Sequence, residues 1–159
     1  MKQLLLVSCL LSLSAILGLP EVKADVRMPL IFGNHMVLQQ DTRITIWGWA
    51  DAGENIEVLF AGQKVRTTAN ADGTWQVKLK PVKTKKKGET LTITGKNKLV
   101  YSDVLVGDVW VASGQSNMEW GIKVRKEYAD DIAHSEDSLL RLFFVPKNTS
   151  LQPLSEIQI

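Results

Sequence analysis

Residues Gly107 to Trp120 read GDVWVASGQSNMEW, and the parsing of this stretch decides the fold. Val104-Leu105-Val106 and Val109-Trp110-Val111-Ala112 are apolar without alternation, and the run stops at Ser113-Gly114-Gln115-Ser116-Asn117. A strand that is apolar on both faces suits a central parallel position covered by helices on each side. The pattern predicts a strand from Val104 to Ala112 that ends where a helix-compatible segment begins. The Ser116 hydroxyl then lies at the mouth of a sheet, where free N–H groups and the positive end of a helix dipole stabilise an oxyanion. Ser116 is the candidate nucleophile.

Beyond it, Val124, Tyr128 and Ile132 recur every four residues among Lys123, Arg125, Lys126, Glu127 and Asp130, which predicts an amphipathic helix. Leu139 to Val145 is a second apolar strand, ended by Pro146. Strand, helix and strand make one βαβ unit, with a right-handed crossover. A parallel sheet buried on both faces needs further strands and helices, and no clear pattern follows Pro146. Left in water, each apolar side chain of the second strand would forfeit about 1.5–3 kcal/mol of burial. Residues 104–159 are therefore expected to open an α/β domain that is truncated here, or completed by another chain.

Upstream, from Asp25 to about residue 103, short strands and turn signals alternate at intervals of roughly ten residues, the pattern of a β-sandwich. Ile44, Ile46 and Gly48 alternate with Thr45, Trp47 and Trp49; Ile56, Val58 and Phe60 alternate with Glu57 and Leu59. Val65 to Thr68 is followed by the turn Asn70-Ala71-Asp72-Gly73, and Trp75, Val77 and Leu79 then face away from Gln76, Lys78 and Lys80. Leu91 and Ile93 alternate with Thr92 and Thr94. Period two means one buried face and one wet face.

Residues 1–24 stand apart. Lys2 precedes an apolar stretch to Leu19, and Val22-Lys23-Ala24 places small residues at −3 and −1 of a cleavage point. This is the pattern of a secretory signal peptide, too short in its apolar core to span a bilayer. The expected location is therefore periplasmic or extracellular, in a bacterium. The single cysteine, Cys9, lies inside the leader, so the mature chain has neither disulfide nor thiolate metal site and depends on packing.

At 159 residues, 45% hydrophobic and 23% charged, the chain has a folded composition. Its net charge of +2 is too small to imply nucleic-acid binding, and Lys83-Thr84-Lys85-Lys86-Lys87 reads as a solvated hairpin loop.

The stretch GDVWVASGQSNMEW resembles the first active-site block of the SGNH-type esterases of the sialate O-acetylesterase family. The resemblance extends to Leu30-Ile31-Phe32-Gly33-Asn34-His35-Met36-Val37-Leu38-Gln39-Gln40, to Ile46-Trp47-Gly48-Trp49-Ala50 and to Leu140-Arg141-Leu142-Phe143-Phe144-Val145-Pro146. It implies a flavodoxin-like α/β (SGNH hydrolase) domain after the sandwich, and removal of O-acetyl groups from sugars or sialic acid. Ser116 would attack the acetyl carbonyl to form an acetyl-enzyme, and its own N–H would give one oxyanion contact. Gln115 and Asn117 would shape and support the turn, and neither metal nor organic cofactor is implied. The family's other parts, a glycine and an asparagine for the oxyanion hole and an Asp-x-x-His that activates the serine, fall beyond Ile159 in a full-length relative.

Asp131-Ile132-Ala133-His134 is literally Asp-x-x-His. On a continuous helix, however, His134 would stand about 27 Å from Ser116, whereas base catalysis needs contact at about 3 Å or one bridging water. Both residues are expected on an exposed helix side or end. His35 is expected to be structural or exposed. Trp47, Trp49 and Trp75 offer a sugar-stacking platform, but aromatic residues in short strands serve mostly as core or cross-strand partners. The leading expectation is an exported O-acetylesterase inactive in this stretch alone. The rival is a non-catalytic carbohydrate-binding or scaffold sandwich in which Ser116 is vestigial.

Overall fold

The alternating segments form the strands the sequence predicts. In the computed structural model, which describes residues 25–121, 125–154, 156 and 157, seven strands follow in chain order. They are β1 (Val37–Gln39), β2 (Ile44–Trp49), β3 (Asn55–Phe60), β4 (Gln63–Thr68), β5 (Thr74–Leu79), β6 (Lys85–Thr94) and β7 (Lys98–Gly107). The expected leader, residues 1–24, lies outside the described residues. One sheet has the order β1-β7-β6-β3-β4, and β2 pairs with β5 in a second.

The inward faces match the alternation. Ile44 and Ile46 of β2, Ile56, Val58 and Phe60 of β3, Trp75, Val77 and Leu79 of β5, and Leu91 and Ile93 of β6 are all buried in one core. Outward residues such as Gln76, Lys78 and Leu59 are exposed. The turn at Asn70–Gly73 is closed by Asp72, whose carboxylate accepts the N–H of Thr74 at 2.9 Å and its hydroxyl at 2.7 Å. Those bonds hold the Asp72 carboxyl below the usual carboxylate range.

Where the alternation lapses, the structure departs from expectation. Val104, Leu105 and Val106 are buried, as an apolar run requires, but they belong to the sandwich. β7 runs past residue 103, with an irregularity there, to Gly107. It pairs antiparallel with β6 and parallel with β1, through Val37↔Leu105, Leu38↔Val106 and Gln39↔Gly107. From Asp108 the chain leaves the ladder, and the predicted continuation to Ala112 is not a strand. Trp110 and Val111 are 87% and 91% exposed.

The rest of the predicted βαβ unit is also absent among the described residues. A 3-10 turn, Lys126–Tyr128, runs into a helix of five residues, α1 (Ala129–Ala133), and Leu139–Val145 has no ladder partner. Tyr128 and Phe144 are 43% and 79% exposed, and a short helix without a packed face does not repay its nucleation. Lys85–Lys87 is also corrected: these residues are exposed but begin β6 rather than forming a loop.

Candidate active-site serine and its supports

Ser116 opens a 3-10 turn, Ser116–Glu119, nine residues beyond Gly107. Gln115 precedes it in extended conformation, and its carbonyl accepts the Met118 N–H at 2.9 Å. The Asn117 carbonyl accepts the Trp120 N–H at 3.3 Å. Gln115 and Asn117 thus build the turn through their backbones. A Cβ at Gly114 would stand 2.5 Å from Met118 Cγ, so glycine lets the turn fold back on itself. Ser116 is exposed, and among the described residues none is hydrogen-bonded to its hydroxyl. At its free pKa such a serine is a weak nucleophile.

The Asp-x-x-His pattern does not come to it. Asp131 lies in α1, and His134 caps that helix with Nδ1 2.7 Å from the Asp130 carbonyl oxygen; both are exposed. The expected exposed helix end is what the structure shows.

The chain before and after the serine turn makes polar contacts with the sandwich. At the exit of β7 the Val109 N–H donates to Gln39 Oε1 at 2.8 Å, and Gln40 Nε2 donates to Asp108 Oδ1 at 3.1 Å. The Gln40 N–H donates to the Gly107 carbonyl at 2.9 Å, and its own Oε1 accepts the Thr84 N–H at 3.3 Å. Further along, Arg141 reaches back to β7, with a guanidinium nitrogen 2.8 Å from Asp103 Oδ2. His35 Nδ1 lies 2.7 Å from the same oxygen. The His35 hydrogen bond first, and the Arg141 charge after it, hold the Asp103 carboxyl below the usual range.

Sequence reasoning singled out His35 and the motifs containing Gln39, Gln40 and Arg141 but did not join them to Asp103 and Asp108. These contacts span 38 to 70 residues, and no local pattern announces them.

The tryptophans divide. Trp75 is a core residue, 2% exposed. Trp47 meets Phe32 edge-on with centroids 4.8 Å apart, and the Arg27 guanidinium lies 4.1 Å over the Trp49 ring while pairing with Glu156 at 2.7 Å. Trp75 thus has a core role and Trp49 a cross-strand one, while Trp47 packs on Phe32 and stays 39% exposed. Among the described residues no cluster of three or more His, Cys, Asp or Glu side chains is arranged to hold a metal ion, and no helix is long and apolar enough to cross a membrane.

A solved carbohydrate acetylesterase from Xanthomonas citri is 36% identical, with a TM-score of 0.79 over 84% of this chain and 31% of its own. The fold thus has its likeness in a carbohydrate acetylesterase. More narrowly, the chain is related to the sialate O-acetylesterases: those of Mus musculus and Rattus norvegicus are 32% and 34% identical over 79% and 78% of it. The chain spans about a quarter of those curated relatives, 26% and 25% of their length. No family model matches it.

Proposed function

We propose that this chain is the β-sandwich and the nucleophile-bearing opening of an exported carbohydrate O-acetylesterase, with Ser116 as the nucleophile. The observation that carries the reading is the likeness to a carbohydrate acetylesterase across 84% of the chain. The exposed hydroxyl at the start of a tight turn supports it. Ser116 Oγ attacks the acetyl carbonyl carbon of an O-acetylated sugar or sialic acid. The sugar hydroxyl leaves with a proton, and water then releases acetate and restores the serine. The Ser116 N–H, at the turn's first residue and ahead of its first hydrogen bond, is available to the oxyanion. A donor of this kind is worth about 2.7–4 kcal/mol in the transition state.

The base and the remaining oxyanion donors belong to parts of an SGNH-type α/β domain beyond these residues. The outward side chains of Trp110, Val111, Leu142 and Phe144, 87%, 91%, 89% and 79% exposed, await its other layers. Residues 1–24 direct export.

The test is turnover of a chromogenic acetate ester by this chain beside Ser116→Ala. No serine-dependent hydrolysis is expected, and turnover that vanishes in the alanine variant overturns the proposal that the base lies elsewhere. For the esterase reading itself, the deciding observation is the reading frame past Ile159. An Asp-x-x-His some two hundred codons on, as the family resemblance implies, supports it. An immediate stop favours a carbohydrate-binding module instead.

A further inference from the structure

Two polar joints tie the chain to the sandwich, one before and one after Ser116. Upstream, Gln39 and Gln40 grip Asp108 and the Val109 N–H where the chain leaves β7. Downstream, Arg141 is held by Asp103. The second joint is costly to build. β7 carries an irregularity between its pairs with Glu89 and Leu91, and Asp103 sits there with φ of 52°. The residue that hydrogen-bonds it, His35, also has a positive φ, 63°. Left-handed conformations at residues other than glycine persist only where the surroundings over-determine them, and they gather where a side chain must be aimed.

The backbone around the joint is shaped to allow it. A Cβ at Gly88 of β6 would stand 2.2 Å from Asp103 Oδ1 and 2.8 Å from its Cα, so the opposite strand leaves room for the bulged aspartate. The Asn34 side chain accepts the Ser102 N–H at 2.8 Å, and the His35 N–H donates to the Ser102 carbonyl at 3.0 Å, fixing His35 beside the bulge. Arg141 is only 25% exposed at its side chain, and its guanidinium also donates to the Ser138 carbonyl.

We propose that Asp103 is a positioning residue: aimed by His35 from the bulge of β7, its carboxylate docks Arg141 and, with the Gln39–Gln40 grip, holds the Ser116 segment against the sandwich at both ends. The sandwich is then part of the hydrolytic site's framework. This inference rests on the reading of Ser116 as the nucleophile, but the docking can be measured without turnover.

The experiment is hydrogen–deuterium exchange on the whole chain. The variants are Asp103→Gly, Arg141→Ala, the pair of them together, and Arg141→Lys. Asp103→Gly tolerates the left-handed backbone while removing the carboxylate. Exchange at the bonded amides of Val109, Met118, Leu139 and Leu140 is expected to rise roughly two- to fivefold in each single alanine or glycine variant, as a modest ion pair commands, while β2 and β5 stay protected. The double variant should add nothing to either single one, and Arg141→Lys should restore part of the protection.

Unchanged exchange in Asp103→Gly, additive effects in the double variant, or a rise spread evenly over the sandwich overturns the proposal. In a longer form of the protein that shows Ser116-dependent turnover, Asp103→Gly should lower kcat and leave KM in place. Altered exchange with unchanged kcat refutes the positioning role. If instead the longer form shows no Ser116-dependent turnover, the esterase reading is refuted and the docking result stands.

Discussion

The Nδ1 of His35 stands 2.7 Å from the carboxylate of Asp103, and both residues hold left-handed backbones, with φ of 63° and 52°. Their meeting brings the loop before β1 onto the bulge of β7 and leaves the carboxylate facing Arg141. Gly88 makes room for it. Replacing Gly88 by alanine would push a methyl carbon against the Asp103 backbone at 2.8 Å, where nothing flexible can yield. The expected cost is about 1–3 kcal/mol, the range for overpacking. A denaturant titration checks it, and a midpoint equal to that of the wild type would show that the bulge can open.

The low Asp103 pKa has a pH signature. Because His35 and Arg141 favour the charged form, the folded value lies below the unfolded one. The resulting stability is therefore fully present above the ordinary carboxylate range and lost as pH falls through the folded value. Wild type should melt above Asp103→Asn at neutral pH, and the gap should close between about pH 5 and pH 2. Melting followed by circular dichroism across that window tests this. Asparagine tolerates the left-handed backbone, so a gap that persists in acid would mean that charge is not its source. Glu57, lowered by Lys64 and Arg66, and Asp72 supply a common acid slope that both proteins share.

Glu54 is a buried acidic residue, 8% exposed, between the β2–β3 turn and the β6–β7 turn. Its carboxylate accepts the Lys96 N–H at 2.6 Å and the Asp51 N–H at 3.2 Å. Glu54→Ala removes the acceptor from both buried-side donors and should destabilise by about 1–3 kcal/mol, with Glu54→Gln recovering part of that. Equal midpoints for the alanine and glutamine variants would show that the acceptor oxygens do not matter.

The sandwich was legible wherever alternation held. Ile44, Ile46 and Gly48 inward with Trp47 outward, and Trp75, Val77 and Leu79 inward, read directly as strand faces because period two is a local property of one strand. Val104–Val106 gave the right burial and the wrong setting. An apolar run reports that both faces are covered but not by what, and here β7 lies between β1 and β6 in the sandwich's own sheet. Gly114 and Ser116 marked a break in the chain, but the expected strand-to-helix junction at a sheet mouth is instead a 3-10 turn nine residues past β7. The polar contacts with the sandwich were not legible, since Gln39–Val109 and Asp103–Arg141 join residues 70 and 38 positions apart.

The segment beyond β7 yields the last prediction, from the contrast between its side chains and those of the core. Phe60 is 1% exposed and sits in the shared interior, so Phe60→Ala should cost about 3–5 kcal/mol through lost burial and a cavity. Trp110 and Leu142 are 87% and 89% exposed and contribute almost nothing to burial. Trp110→Ser and Leu142→Ser should each shift stability by less than about 0.5 kcal/mol, as surface changes do. They should nonetheless reduce the binding of an apolar dye such as anilinonaphthalene sulfonate, because they remove the surface it seeks. Urea midpoints and dye fluorescence on the same four proteins decide the matter. If Leu142→Ser destabilises as Phe60→Ala does, residues 139–145 already have a covering layer, and they would not need one from elsewhere in an α/β domain.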